Sequence, residues 1–133
     1  MSNNSHTKRK ILIVEDDKSL ITLLTAALKD ENYDILAAKD GKTALKTARE
    51  HLPDLILLDL EMPGMKGLEV LKELRNYEKT RDIRVIILTN SSDVSSIEEA
   101  MESSVFTYLT KSDWELEDII KKVKEALDML DPK

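Results

Sequence analysis

The stretch ILIVEDD, residues 11–17, runs four branched apolar side chains straight into three consecutive carboxylates. Continuous apolar character, as opposed to alternation, suits a strand covered on both faces. Nothing in a packed core accepts Glu15, Asp16 and Asp17 side by side, because like charges repel and burying them unpaired is costly. Two similar runs follow, Leu55-Ile56-Leu57-Leu58 and Val85-Ile86-Ile87-Leu88, with weaker ones over residues 33–38 and 106–109. Between them, apolar residues recur at helical spacing: Leu20, Leu24 and Leu28; Ala44, Leu45 and Ala48; Val70, Leu71 and Leu74. The most regular stripe is the last, with Leu116, Ile119, Ile120, Val123, Leu127 and Leu130. The stripe Val94, Ile97, Met101 is thinner and predicts the least firmly packed helix.

Five strands alternating with five helices predict an α/β domain with a doubly wound parallel sheet. The chain has 133 residues, the usual size for one domain. Residues 1–8 read as a frayed polar tail and residues 9–133 as the domain. The composition is 41% hydrophobic, enough for a core, and 35% charged, enough to solvate its surface. A net charge of −6 argues against direct contact with nucleic acid or an anionic membrane. There is no cysteine, so disulfides and thiolate metal sites are excluded, which suits a cytoplasmic location. No apolar run approaches the roughly 20 residues of a membrane span, and the start lacks the apolar segment of a secretory signal.

In open parallel sheets, ligands sit beyond the carboxyl ends of the strands. The first run ends in Glu15-Asp16-Asp17, the third in Asp59 and then Glu61, the fourth in Thr89, and the last in Thr110-Lys111. Acids, a hydroxyl and one ammonium therefore converge on one edge. Crowded carboxylates attract a hard cation, and Mg²⁺ accepts one or two carboxylates while keeping places for water and phosphate oxygens. Such an ion would offset the repulsion among Asp16, Asp17 and Asp59. With Lys111 and the Thr89 hydroxyl it would neutralise three phosphoryl oxygens. A carboxylate can itself be the nucleophile, forming an aspartyl phosphate.

Four separated motifs in order, LIVEDD, LILLDLEMPGMKGLEVLKELR, VIILT and YLTKS, resemble the receiver domain of bacterial two-component response regulators. The likeness covers residues 9 to about 130. It implies a flavodoxin-like sheet in the order 2-1-3-4-5, with Asp59 accepting a phosphoryl group from a sensor histidine kinase or a phosphotransfer protein. It assigns Mg²⁺ to Asp16, Asp17 and Asp59 plus the main-chain carbonyl of Glu61, and favours Asp17 as the direct ligand. Asp is also a favoured helix N-cap, so Asp17 is placed to do both jobs. Thr89 and Lys111 match the hydroxyl and lysine that contact the phosphoryl group. Tyr108 matches the aromatic switch residue, and the signal leaves through the face of the fourth helix, fifth strand and fifth helix. Implied partners are a kinase and a downstream target or output domain, with the chain monomeric or weakly dimeric when phosphorylated. The resemblance implies a phosphoacceptor with at most slow self-dephosphorylation, not an enzyme. Two alternatives remain: a phosphate-independent interaction module, and a phosphatase using Asp59 and Glu61 as its acid pair.

The sequence departs from the family pattern at several points. Asn90 stands where a small residue is common, and Ser103-Ser104-Val105 where a Gly-Ala step is frequent. Phe106-Thr107 replaces acids found in many transcription-factor receivers, which weakens the case for their salt-bridged dimer. Ser112 replaces a frequent proline. A cis bond before a non-proline residue costs about 2.5–4 kcal/mol, so Lys111–Ser112 is expected to be trans. Ser112-Asp113-Trp114-Glu115 reads as a capping box starting the last helix at Asp113. Neither His6 nor His51 lies at the strand edge, so no phosphodonor is expected within the chain. The sequence is expected to be either a stand-alone receiver acting by protein contact or a fragment of a larger regulator.

Overall fold

The three strong apolar runs become β1 (Lys10–Val14), β3 (Leu55–Leu58) and β4 (Arg84–Thr89). The two weaker ones become β2 (Asp34–Ala38) and β5 (Thr107–Thr110). They alternate with α1 (Lys18–Asp30), α2 (Gly41–His51), α3 (Gly67–Asn76), α4 (Val94–Met101) and α5 (Leu116–Asp128). All strand pairs are parallel, and the sheet order is β2-β1-β3-β4-β5. The computed structural model describes residues 8–90, 94–103 and 105–128. Most of the expected tail, with His6, lies outside the described residues, as do Ser104 and Leu130; Lys8, its last member, is exposed. No described helix is long and apolar enough to cross a membrane.

Successive side chains of a strand point to opposite faces, so each apolar run feeds two cores. Leu12, Val14, Ile56, Leu58, Val85 and Ile87 pack on one face with Ala44, Leu45 and Ala48 of α2 and Val70, Leu71 and Leu74 of α3. Ile11, Ile13, Leu55, Leu57, Ile86 and Leu88 pack on the other with Leu24 and Leu28 of α1 and Ile119, Val123 and Leu127 of α5. Burying one such side chain contributes roughly 1.5–3 kcal/mol, which is why the three central strands hold the register. The thin stripe of α4 behaves as expected. Among its described side chains only Ala100 is buried, Ile97 is partly covered and Met101 is exposed.

The last helix begins later than the capping box predicts. The chain first turns, with the Asp113 N–H donating to the Thr110 carbonyl at 3.0 Å. Helical bonding starts at Glu115, whose carbonyl accepts from Asp118 and Ile119. The Glu115 N–H donates to Asp118 Oδ2 at 3.2 Å, so the reciprocal acid sits three residues further on than expected. Ser112 is consumed by the turn that follows Lys111, and Trp114 packs against the core beside Leu116. No cis peptide occurs among the described residues, so the Lys111–Ser112 bond is trans, as the energetic argument requires.

Candidate functional site

The strand order reverses between β2 and β3 across β1, and a crevice opens where β1 and β3 end side by side. Ladder pairing aligns these ends. Val14 faces Leu58, Leu58 faces Ile87, and Thr89 faces Thr110. The ladder continues one residue further, because the Asp59 N–H donates to the Val14 carbonyl at 3.0 Å and the Lys111 N–H to the Thr89 carbonyl at 3.0 Å. Asp59 and Lys111 therefore leave the sheet at fixed positions from neighbouring edges.

Asp59 is buried, at 4% exposure. Its Oδ1 accepts the Glu61 N–H at 3.0 Å, and its Oδ2 lies 3.2 Å from Lys111 Nζ. Glu15 is more deeply buried, and its Oε1 pairs with the same Lys111 Nζ at 2.6 Å. Carboxylate oxygens of Glu15, Asp16 and Asp59 lie within 4.8 Å of one another. One ammonium thus bridges two buried acids while a third, exposed acid stands beside them. Burial pushes the Glu15 carboxyl above its ordinary value and Asp59 adds to that, while Lys111 only partly offsets both. Burial alone would lower the Lys111 ammonium, but its bonds to Glu15 and Asp59 outweigh that and raise it.

Asp17 goes elsewhere. It is the N-cap of α1, with Oδ1 accepting the N–H groups of Ser19 at 2.9 Å and Leu20 at 3.4 Å. Its own N–H donates to Glu15 Oε2 at 3.1 Å. The carboxylate cluster therefore draws on Glu15 and Asp16, the first two acids after β1, and not on Asp16 and Asp17. Glu15 is the residue missed from sequence. The signal was present, since strand alternation turns residue 15 inward from the sheet edge before the helix cap begins.

Thr89 ends β4, with 1% exposure. The Glu61 side chain is exposed, and it is its main chain that approaches Asp59. Asn90 beside the site is exposed. Tyr108 stands outward on β5, at 43% exposure. The loop after Asp59 is pinned from below. The Gly67 N–H donates to the Leu60 carbonyl at 3.1 Å, and a Cβ at Gly67 would overlap the Asp59 carbonyl oxygen. Gly64, with φ +75°, supplies the left-handed turn between them. A buried carboxyl group, a fixed ammonium, a hydroxyl-bearing strand end and a carboxylate cluster form a set that suits a phosphoryl group and a divalent cation.

The model of the response regulator receiver domain matches residues 11–124. The response regulator PleD of Caulobacter vibrioides is 40% identical over 102 residues, which is 77% of this chain and 22% of PleD. The chain thus spans about a fifth of that relative's length. Among solved structures, the chemotaxis protein CheY4 of Vibrio cholerae superposes with a TM-score of 0.83 at 26% identity, covering 91% of this chain and all of CheY4. The receiver domain of the sensor histidine kinase PA1611 of Pseudomonas aeruginosa, whose structure has magnesium coordinated in its active site cleft, gives a TM-score of 0.81. Its identity is 24%, over 92% of this chain and 99% of that one.

Proposed function

This chain belongs to the response regulator receiver domain family, and from that premise we propose that it is a phosphorylation-switched signalling module acting in the bacterial cytoplasm. Its phosphodonor is the phosphohistidine of a sensor kinase or phosphotransfer protein. An Asp59 carboxylate oxygen attacks phosphorus and the phosphorus–nitrogen bond to the donor breaks. The phosphoryl oxygens gain charge-assisted hydrogen bonds from Lys111 and a hydroxyl contact from Thr89. The observation that carries this reading is Lys111 held between Glu15 and Asp59, with Asp16 completing the cluster.

The donor set fits a hard cation, because three carboxylates gather where one ammonium meets only two of them. Asp16, Asp59 and the Glu61 carbonyl would hold Mg²⁺, with Glu15 beside them and Asp17 left to its cap; the PA1611 receiver domain has magnesium coordinated in its active site cleft. Bound there, Mg²⁺ supplies positive charge to the phosphoryl oxygens. Tyr108, now outward, turns in as Thr89 engages the phosphoryl group, and the face of α4, β5 and α5 changes shape for a downstream protein or output domain.

Acetyl phosphate with Mg²⁺ should add one phosphoryl group, seen as a mass increase labile to hydroxylamine, and Asp59→Asn should abolish it. Labelling of that variant at the wild-type level would defeat the assignment to Asp59. Complete refusal of label by the wild type would favour a phosphate-independent interaction module, and rapid multiple turnover a hydrolase.

A further inference from the structure

A second cluster of chemistry lies at the opposite end of the sheet, where the strands begin. Arg75, Arg81, Asp82, Ile83 and Arg84 line a groove of about 410 Å³ between the end of α3 and the start of β4. Three arginines and one aspartate thus line the groove, on a chain whose net charge is −6. Arg75 is a fixed wall. Its Nε donates to the Ser103 carbonyl at 2.8 Å, and its Nη1 to the Arg81 and Ile83 carbonyls at 2.9 Å each. These bonds hold the Arg75 side chain in place against the groove, with the Asp82 carboxylate acting on it electrostatically. No carboxylate pairs with Arg81 or Arg84 among the described residues. The Arg84 guanidinium stacks on Phe106, 5.6 Å from the ring centroid, and its Nε is buried with no hydrogen-bond partner. Buried donors are nearly always bonded, so an orphan on a charged group marks a missing acceptor.

We propose that this groove is an oxyanion-binding site for a phosphate group, held by Arg81 and Arg84 and walled by Arg75. Guanidinium forks match the geometry of phosphate oxygens and bind them by paired, charge-assisted hydrogen bonds. The stack on Phe106 fixes the plane of Arg84, so little side-chain freedom is lost on binding. Nothing in the proposed phosphoacceptor chemistry uses these residues, and Arg84 begins β4, at the opposite end of that strand from Thr89.

The test is a titration of ¹⁵N-labelled protein with inorganic phosphate in metal-free buffer, read by amide and arginine Nε resonances. An Asp59→Asn background removes any contribution from the other edge. Saturable shifts should appear at residues 75–84 and at Arg84 Nε. Each hydrogen bond to a charged group is worth enough that Arg81→Gln should weaken binding about tenfold. Arg84→Lys should weaken it as well, because it keeps the charge but loses the fork. Arg81 is exposed, so its variant reports binding even if changes at Arg84 disturb packing. Non-saturating shifts, equal shifts from chloride at matched ionic strength, or unaltered affinity in Arg81→Gln would overturn the proposal.

Discussion

Replacing Gly67 with alanine should unseat the loop that carries Asp59. The added Cβ would overlap the Asp59 carbonyl oxygen and stand 2.6 Å from Leu60 Cα, where ordinary contact begins at 3.4 Å. The backbone must therefore yield by at least 0.8 Å. The obstructing atoms are main chain, so no side chain can swing aside to make room. Helix propensity works the other way, favouring alanine by up to roughly 1 kcal/mol in a helix interior and by less at the first helical position. Overpacking costs about 1–3 kcal/mol, leaving a net loss of ~1–2 kcal/mol and a Tm lower by about 3–10 °C. The kinetic effect should be larger than the stability effect. A displacement near 1 Å at a reacting group can cost about a hundredfold in rate. Thermal unfolding followed by circular dichroism gives the first quantity, and the initial rate of acetyl phosphate labelling gives the second. Wild-type values for both would refute the close-approach argument. A lowered Tm with an unchanged labelling rate would mean that the loop relaxes away from Asp59 instead of carrying it.

Asp16→Ala should abolish the rise in melting temperature caused by Mg²⁺. Asp17→Ala should keep that rise but lose about 0.5–2 kcal/mol of stability through its helix cap; the reverse pattern would return the cation to Asp17. Because the folded pKa of Glu15 is raised above its ordinary 4.5, the folded state holds a proton that the unfolded chain releases. That contribution is complete below 4.5 and fades as pH rises through the raised value, so metal-free stability of wild type relative to Glu15→Gln should fall as pH rises above 4.5. A flat difference in urea unfolding across that range would contradict it. Beryllofluoride, a phosphoryl mimic, should change hydrogen exchange within residues 94–110, since α4 is lightly packed and a ligand shifts only equilibria whose states it distinguishes. Unchanged protection over that stretch would mean a rigid domain.

Much of the site could be read from the chain because it sits at strand ends, and strand ends are marked by abrupt changes of residue type. Asp59 after Leu58 and Thr89 after Leu88 each close an unbroken apolar run, and the parallel order brings those ends to one edge. Lys111 follows the same logic on the edge strand. The acid pair was harder. Glu15, Asp16 and Asp17 are chemically alike, and a cap and a cation ligand call for the same carboxylate. Only the point where β1 stops and α1 starts assigns them, turning Glu15 inward to Lys111 and Asp17 onto Ser19 and Leu20.

The two-faced strands, the α/β alternation and the edge on which the chemistry gathers are legible in the chain alone. These follow from hydrophobic periodicity, a property of neighbouring residues. Tertiary structure decided what depends on distant partners. The start of α5 shifted three residues because the turn after Lys111 takes Ser112 before any helix can begin. The groove at Arg75, Arg81 and Arg84 is invisible in sequence, since Phe106 meets Arg84 from the segment just before β5 and Ser103 meets Arg75 from the turn after α4. Isolated arginines are ordinary surface residues. The stack of Arg84 on Phe106 and the gathering of three arginines around one groove set them apart, and both are facts of packing.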